Sequence, residues 1–294
     1  VALTHRLDWN QEGHDWPHRH ASRFIQAGGL RWHVQCMGEG PPILLVHGTG
    51  SASHSWRDLM PRLARHFTVI VPDLPGHGFS SPPARFSGFG LPGMATALAA
   101  LLRQMGYAPA LVAGHSAGAA VLARMCLDGH IAPRALVSIN GVMLPLPTTV
   151  NILFSASARF LSMIPFVSHY VAWRAMDPHA LEILLQGTGS QVDQRGMDLY
   201  GRLVRNPGHL DGTLNMMVNW DLHPLGRDLA RLSTPLVQVI GSNDRTVLPS
   251  ELRRVKTVLP QARLVTLPGL GHLAHEERPD LVEALLLEQF SPCS

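Results

Sequence analysis

Gly114-His115-Ser116-Ala117-Gly118 is the stretch from which the rest of the chain is read. Residues 110–113 before it form a short apolar run, and residues 117–127 after it carry a helical pattern, so Ser116 stands on a strand-to-helix turn. The pattern G-x-S-x-G needs that setting. A sharp, strained turn lifts the serine hydroxyl clear of the sheet edge, and the flanking glycines let neighbouring backbone come close. The helix that opens at Ala117 points its positive end at the same place.

Working outward, three more words sit at the ends of apolar runs. His47-Gly48-Thr49-Gly50 follows the run 43–46 and offers a second backbone donor, so the N–H groups of Thr49 and Ala117 are the candidate oxyanion hole. Asp244, in Gly241-Ser242-Asn243-Asp244-Arg245, follows the run 236–240. His272, in Gly269-Leu270-Gly271-His272, follows the run 263–267. A serine hydroxyl is a weak nucleophile until a base takes its proton, so Ser116, His272 and Asp244 are the candidate nucleophile, base and orienting carboxylate. Their order along the chain, Ser, Asp, His, resembles that of α/β hydrolases and differs from the orders in chymotrypsin and subtilisin. Asp73-Leu74-Pro75-Gly76-His77-Gly78-Phe79-Ser80 resembles the loop after the fourth strand of that superfamily, with Asp73 and His77 in structural roles. A serine in the nucleophile position favours acyl transfer over the haloalkane and epoxide chemistries that use an aspartate there.

The remaining pattern predicts an α/β fold. Strands are expected at 30–37, 43–46, 68–71, 110–113, 135–139, 236–240 and 263–267, and helices at 55–66, 94–105, 117–127, 250–258 and 279–289. Their alternation calls for a mostly parallel central sheet with helices on both faces. Residues 1–25 read as an irregular, solvated arm, 26–144 and 232–294 as the core, and 145–231 as a helical lid inserted after the sixth strand. In the lid, Trp173, Met216 and Met217 are candidate substrate contacts, as is His47 below it, and a surface so rich in methionine suits a bulky, apolar or planar substrate. Residues 135–158 carry no charge, which by length allows a membrane span, but Asn140, Gly141, Pro145, Pro147 and Asn151 interrupt the stretch. No transmembrane segment is therefore expected.

Composition narrows the partners. Charged residues make up 15% of the 294, against about 25% in an ordinary soluble protein, while 46% are hydrophobic, so intrinsic disorder is excluded. The net charge of +3 comes without a basic run, so no nucleic acid is expected. Lys256 is the only lysine, which rules out a phosphate loop of the G-x-x-x-x-G-K-[ST] kind. Cys36, Cys126 and Cys293 have neither disulfide nor metal spacing, and no metal or cofactor is expected. Together with Arg6, Asp8, Glu12 and Asp15, which do not read as a secretory signal, they point to a reducing, cytoplasmic compartment, with a membrane-peripheral location as the alternative.

Longer words carry a closer likeness. Asp15-Trp16-Pro17-His18-Arg19, residues 27–35, Gly114-His115-Ser116-Ala117-Gly118-Ala119-Ala120, residues 124–128 and residues 269–279 together resemble the magnesium-chelatase accessory proteins, or 30 kDa subunits, of bacteriochlorophyll biosynthesis. The resemblance runs nearly end to end. It implies a porphyrin-type substrate or ligand and chelatase subunits as partners, with Arg159 or Arg174 available to pair a propionate. It leaves three functions to separate: a serine hydrolase, a non-catalytic factor that binds a tetrapyrrole or a chelatase subunit, and a small-ester hydrolase or cofactor-free haloperoxidase or perhydrolase. The ATPase role of the chelatase's motor subunits is closed to a chain with no phosphate loop.

Overall fold

A computed structural model describes residues 6–145 and 177–290, together with Ser168, Tyr170 and Ala172. Its centre is one eight-stranded sheet in the order β1-β2-β4-β3-β5-β6-β7-β8. The strands are β1 (Ser22–Ala27), β2 (Leu30–Met37), β3 (Pro42–Val46), β4 (Thr68–Pro72), β5 (Leu111–His115), β6 (Leu136–Ile139), β7 (Leu236–Gly241) and β8 (Arg263–Leu267). β2 runs antiparallel to β1 and β4, and all other neighbours are parallel. The register pairs Val46 with Gly114 and His115 with Ile139, which brings the carboxyl ends of β3, β5 and β6 level. That edge is where an open parallel sheet offers a crevice.

The alternation of side chains along the central strands divides the core in two. Leu44, Val46, Val112 and Leu136 face α3 (Leu91–Met105) and α4 (Ala117–Leu127), while Ile43, Leu45, Leu111, Ala113 and Ile139 face Trp56, Leu59 and Phe67. Both faces are apolar because both are covered, which is why these strands read as continuous hydrophobic runs. The expected helix 55–66 is instead a 3-10 turn, Ser53–Trp56, followed by α2 (Met60–Leu63), because Pro61 has no N–H to donate and its ring crowds the preceding turn.

Among the described residues between β6 and β7 there are helices and no strand: α5 (Pro178–Gln186), α6 (Gln194–Val204), α7 (Pro207–Val218) and α8 (His223–Asp228), closed by a 3-10 turn at Leu229–Arg231. Asp177 and Asn206 cap α5 and α7, each with a proline in the first turn, and Asp193 caps α6 by accepting from the Gly196 amide. After β7 come α9 (Pro249–Arg253) and α10 (Val255–Val258), and after β8 come α11 (Ala274–Glu277) and α12 (Pro279–Phe290). No helix among the described residues is long and apolar enough to cross a membrane.

The first residues depart from the expected solvated arm. A short helix, α1 (Trp9–Glu12), leads into β1, which forms a hairpin with β2 through Gly28 and Gly29, both at positive φ. Leu7 and Trp16 are buried with Phe79 against Leu199 and Leu203 of α6. Asp15 accepts from Arg195 at 2.9 Å and from Arg202 at 2.7 Å, and Arg6 donates to the Ser80 carbonyl at 2.6 Å. Two tryptophans in a stretch rich in polar groups gave these residues enough apolar surface to dock.

Candidate active site

Ser116 has φ 50° and ψ −118°, a conformation that L side chains rarely adopt and that costs about 1–3 kcal/mol. The turn is held by the Ser116 amide, which donates to the Ile139 carbonyl at 3.0 Å. Its glycines are required by contact: a Cβ at position 114 would lie 2.4 Å from the Ala119 nitrogen, and one at 118 would lie 2.3 Å from the Val46 carbonyl oxygen. A Cβ at Gly48 would meet the Ser116 Cβ at 3.0 Å, so the loop 47–50 runs directly against the serine.

His47 braces that loop. It is fully buried, its Nδ1 donates to the Gly48 carbonyl at 2.8 Å, and its Nε2 accepts from the Leu74 amide at 2.9 Å. Both ring nitrogens are thus bonded to backbone, which is a loop anchor's position and not that of an open substrate contact. Met216 is also fully buried, within the core, with its sulfur accepting from the Thr49 hydroxyl at 3.5 Å. Met217 is half-buried on the same helix. Trp173, Arg159 and Arg174 lie outside the described residues.

Asp244 and His272 meet across the ends of β7 and β8. His272 Nδ1 donates to Asp244 Oδ2 at 2.8 Å, and Asp244 Oδ1 accepts from the Thr246 and Val247 amides at 2.8 and 2.9 Å. With the proton held on Nδ1, Nε2 is the basic nitrogen. No described residue is hydrogen-bonded to Nε2 or to the Ser116 hydroxyl, and Ser116 is half-buried.

Two residues that sequence reasoning did not assign bring His272 to the serine turn. Asn140 Nδ2 donates to the His272 carbonyl at 2.8 Å and to the Gly271 carbonyl at 2.9 Å, while its oxygen accepts from the Gly241 amide at 2.7 Å. His115 Nε2 donates to the same His272 carbonyl at 2.9 Å, and the two imidazole rings sit 4.8 Å apart. Burial holds His115 neutral by pushing its pKa well below the ordinary histidine value. The only sequence signal for Asn140 was an Asn-Gly pair closing an apolar run.

Behind the site lies a second polar cluster. Glu276 accepts from Arg57 and from the Tyr200 hydroxyl at 2.6 Å, and Tyr200 lies 3.3 Å from the Ser51 hydroxyl. Burial pushes Glu276 up to about 7, against the opposing pull of Arg57 and Tyr200. Asp73 does the structural work expected of it: it accepts from His33 at 2.8 Å, from the Ser53 amide at 2.7 Å and from the Phe79 amide at 2.9 Å. His77, beside it, is buried and bonds the Pro75 carbonyl at 3.2 Å. Among the described residues no group of three or more His, Cys, Asp or Glu is arranged to hold a metal ion.

Residues 43–285 match the model of the alpha/beta hydrolase family. The chain is 37% identical to the magnesium-chelatase 30 kDa subunit of Rhodobacter capsulatus over 93% of its own length and 96% of that protein. It is 26% identical to the 2-(acetamidomethylene)succinate hydrolase of Mesorhizobium japonicum, over 88% of this chain and 91% of the relative. An alpha/beta hydrolase fold protein from Burkholderia ambifaria superposes with a TM-score of 0.76 at 23% identity, covering 97% of this chain and 99% of that one.

Proposed function

The chain belongs to the α/β hydrolase family and, within it, to the magnesium-chelatase 30 kDa subunits, and from that premise we propose that it is a serine hydrolase acting on an ester of a bulky, apolar, tetrapyrrole-like substrate. One observation carries this reading: the Asp244–His272 pair is tied through the His272 carbonyl to His115, the residue before a serine held in a strained turn, and the glycine-flanked loop 47–50 runs against that serine. The Ser116 hydroxyl attacks the ester carbonyl while His272 Nε2 takes its proton. The oxyanion that forms is held by the Thr49 and Ala117 N–H groups, each such donor being worth roughly 3 kcal/mol. Collapse of the intermediate expels the alcohol, which takes the proton from His272, and water repeats the cycle to free the acid. The hydrogen bond from the Ser116 hydroxyl to His272 Nε2 forms when substrate enters. The insert 145–231 acts as the lid, its α7 crossing the loop that carries Thr49.

The test is covalent labelling by a fluorophosphonate. Ser116 is the expected adduct, with labelling lost in Ser116→Ala and strongly slowed in His272→Ala. Folded protein that stays unlabelled for hours overturns the reading.

A second reading has its own support, because the Rhodobacter capsulatus relative is named as a chelatase subunit. In it, the chain binds a tetrapyrrole or a chelatase subunit without turnover. Fluorescence titration with protoporphyrin IX, its magnesium complex and its monomethyl ester separates the two. Saturable binding weakened by Arg159→Ala or Arg174→Ala, with no labelling, favours the binder. Hydrolysis of short nitrophenyl esters with no porphyrin binding favours a small-ester hydrolase.

A further inference from the structure

Thr49 lies between Gly48 and Gly50, and a Gly-Thr-Gly segment is the softest backbone on which to hang a hydrogen-bond donor. Something outside the loop must hold it, and the structure supplies that from α7. His209 is 1% exposed; its Nε2 lies 3.1 Å from the Gly50 carbonyl and its Nδ1 lies 3.0 Å from the Gly78 amide. An amide N–H can only donate, so Nδ1 accepts and Nε2 carries the proton to Gly50. Thr213 and Met216 continue the same helical face: the Thr213 methyl is 3.4 Å from a Cβ built at Gly50, and Met216 takes the Thr49 hydroxyl. Gly212 lets the helix sit this close, since a Cβ there would stand 2.0 Å from the Gly76 carbonyl oxygen.

We propose that His209 is a positioning residue for the oxyanion hole: it fixes the Gly50 carbonyl and thereby the orientation of the Thr49 N–H, making α7 the outer wall of the loop that stabilises the transition state. This rests on the serine-hydrolase reading and deepens it. A donor displaced by a fraction of an ångström still lets substrate bind, so the effect falls on turnover.

Two substitutions divide the ring's bonds. Asparagine at 209 reaches the Gly78 amide but is too short for Gly50, whereas glutamine reaches Gly50. In the full-length chain, His209→Asn and His209→Ala are expected to lower kcat on p-nitrophenyl acetate and the rate of fluorophosphonate labelling by roughly 10- to 100-fold, with KM within about threefold. His209→Gln stays within about threefold of the parent on both. Hydrogen exchange at residues 49–52 is expected to quicken in the Asn and Ala variants and to stay slow in the Gln variant. A folded His209→Asn protein that labels and exchanges like the parent overturns the proposal, as does a loss carried by KM alone. Parent protein that neither labels nor hydrolyses removes the serine-hydrolase reading and the catalytic half of this inference. Exchange then decides the clamp alone: faster exchange in His209→Asn sustains it, and unchanged exchange ends it.

Discussion

Two aspartate–histidine pairs in this molecule share a 2.8 Å bond from a histidine Nδ1 to a carboxylate oxygen, and they differ in what the other ring nitrogen meets. Asp73–His33 joins the loop after β4 to β2. His33 is wholly buried, and its Nε2 is taken by the Ser22 hydroxyl at 3.0 Å. Asp244–His272 sits at the carboxyl edge of the sheet, and its Nε2 is engaged by no described residue. The pair alone is therefore no sign of catalysis. The far nitrogen is what differs: that of His33 is bonded inside the fold, which makes the pair a rivet, and that of His272 is left without a described partner, which is what the proposed base requires.

The contrast is broken or sharpened most by Asp244→Asn. The amide keeps the shape but turns an N–H toward His272 and forces the other tautomer, so hydrolysis and labelling are expected to fall about 10³- to 10⁴-fold while the urea midpoint barely moves. Labelling at the parent rate would make this pair a second rivet. Asp73→Asn is expected to do the reverse. It removes one of the acceptors that hold His33, Ser53 and Phe79, costing about 3–5 kcal/mol by urea denaturation, with labelling per folded molecule unchanged.

Histidines buried without a carboxylate partner form a third class, and acid should find them. Burial holds His209 down to about 4 and His275 down to about 3. In the unfolded chain both titrate near 6.5, so below that pH the unfolded state binds more protons. Their contribution is complete above about pH 6.5 and declines on acidification toward their folded values, by up to about 1.4 kcal/mol per pH unit for each. Urea midpoints measured from pH 7.5 to 5 are expected to fall steadily, and a flat profile would show that these rings are not neutral in the fold. The smallest effect is expected at Met217. Its truncation to alanine changes stability by less than about 1 kcal/mol but shifts the preference between short and long acyl nitrophenyl esters. Met216→Ala, emptying a core position, costs about 2–5 kcal/mol.

What the sequence disclosed follows the range over which each signal acts. The strained turn at Ser116 and the Asp244–His272 pair were legible because each of these residues lies in a short word between an apolar run and a turn, and such words constrain the backbone locally. β3, β5 and β7 were legible because they are buried on both faces. Asn140, His115, Tyr200 and His209 were not, since each acts on a backbone group or side chain far along the chain and nothing adjacent marks it. β1 escaped because Ser22–Ala27 carries little apolar patterning, although Gly28-Gly29 before β2 was the available hairpin signal. The share of the site that comes from the insert between β6 and β7 had composition as its only sign, and composition does not distinguish Met216, which fills the core, from Met217, which is half-buried.

The docked arm has a consequence for how the molecule comes into being on the ribosome. Asp15 and Arg202 are 187 residues apart in sequence, so the clasp between arm and α6 waits until that much chain has followed the arm off the ribosome. Until then Trp9 and Trp16 have no α6 to rest on, and the nascent chain carries aromatic surface that this helix has not yet covered. Synthesis of this protein therefore includes an interval in which a chaperone has something to hold, and the interval ends when the insert helix arrives.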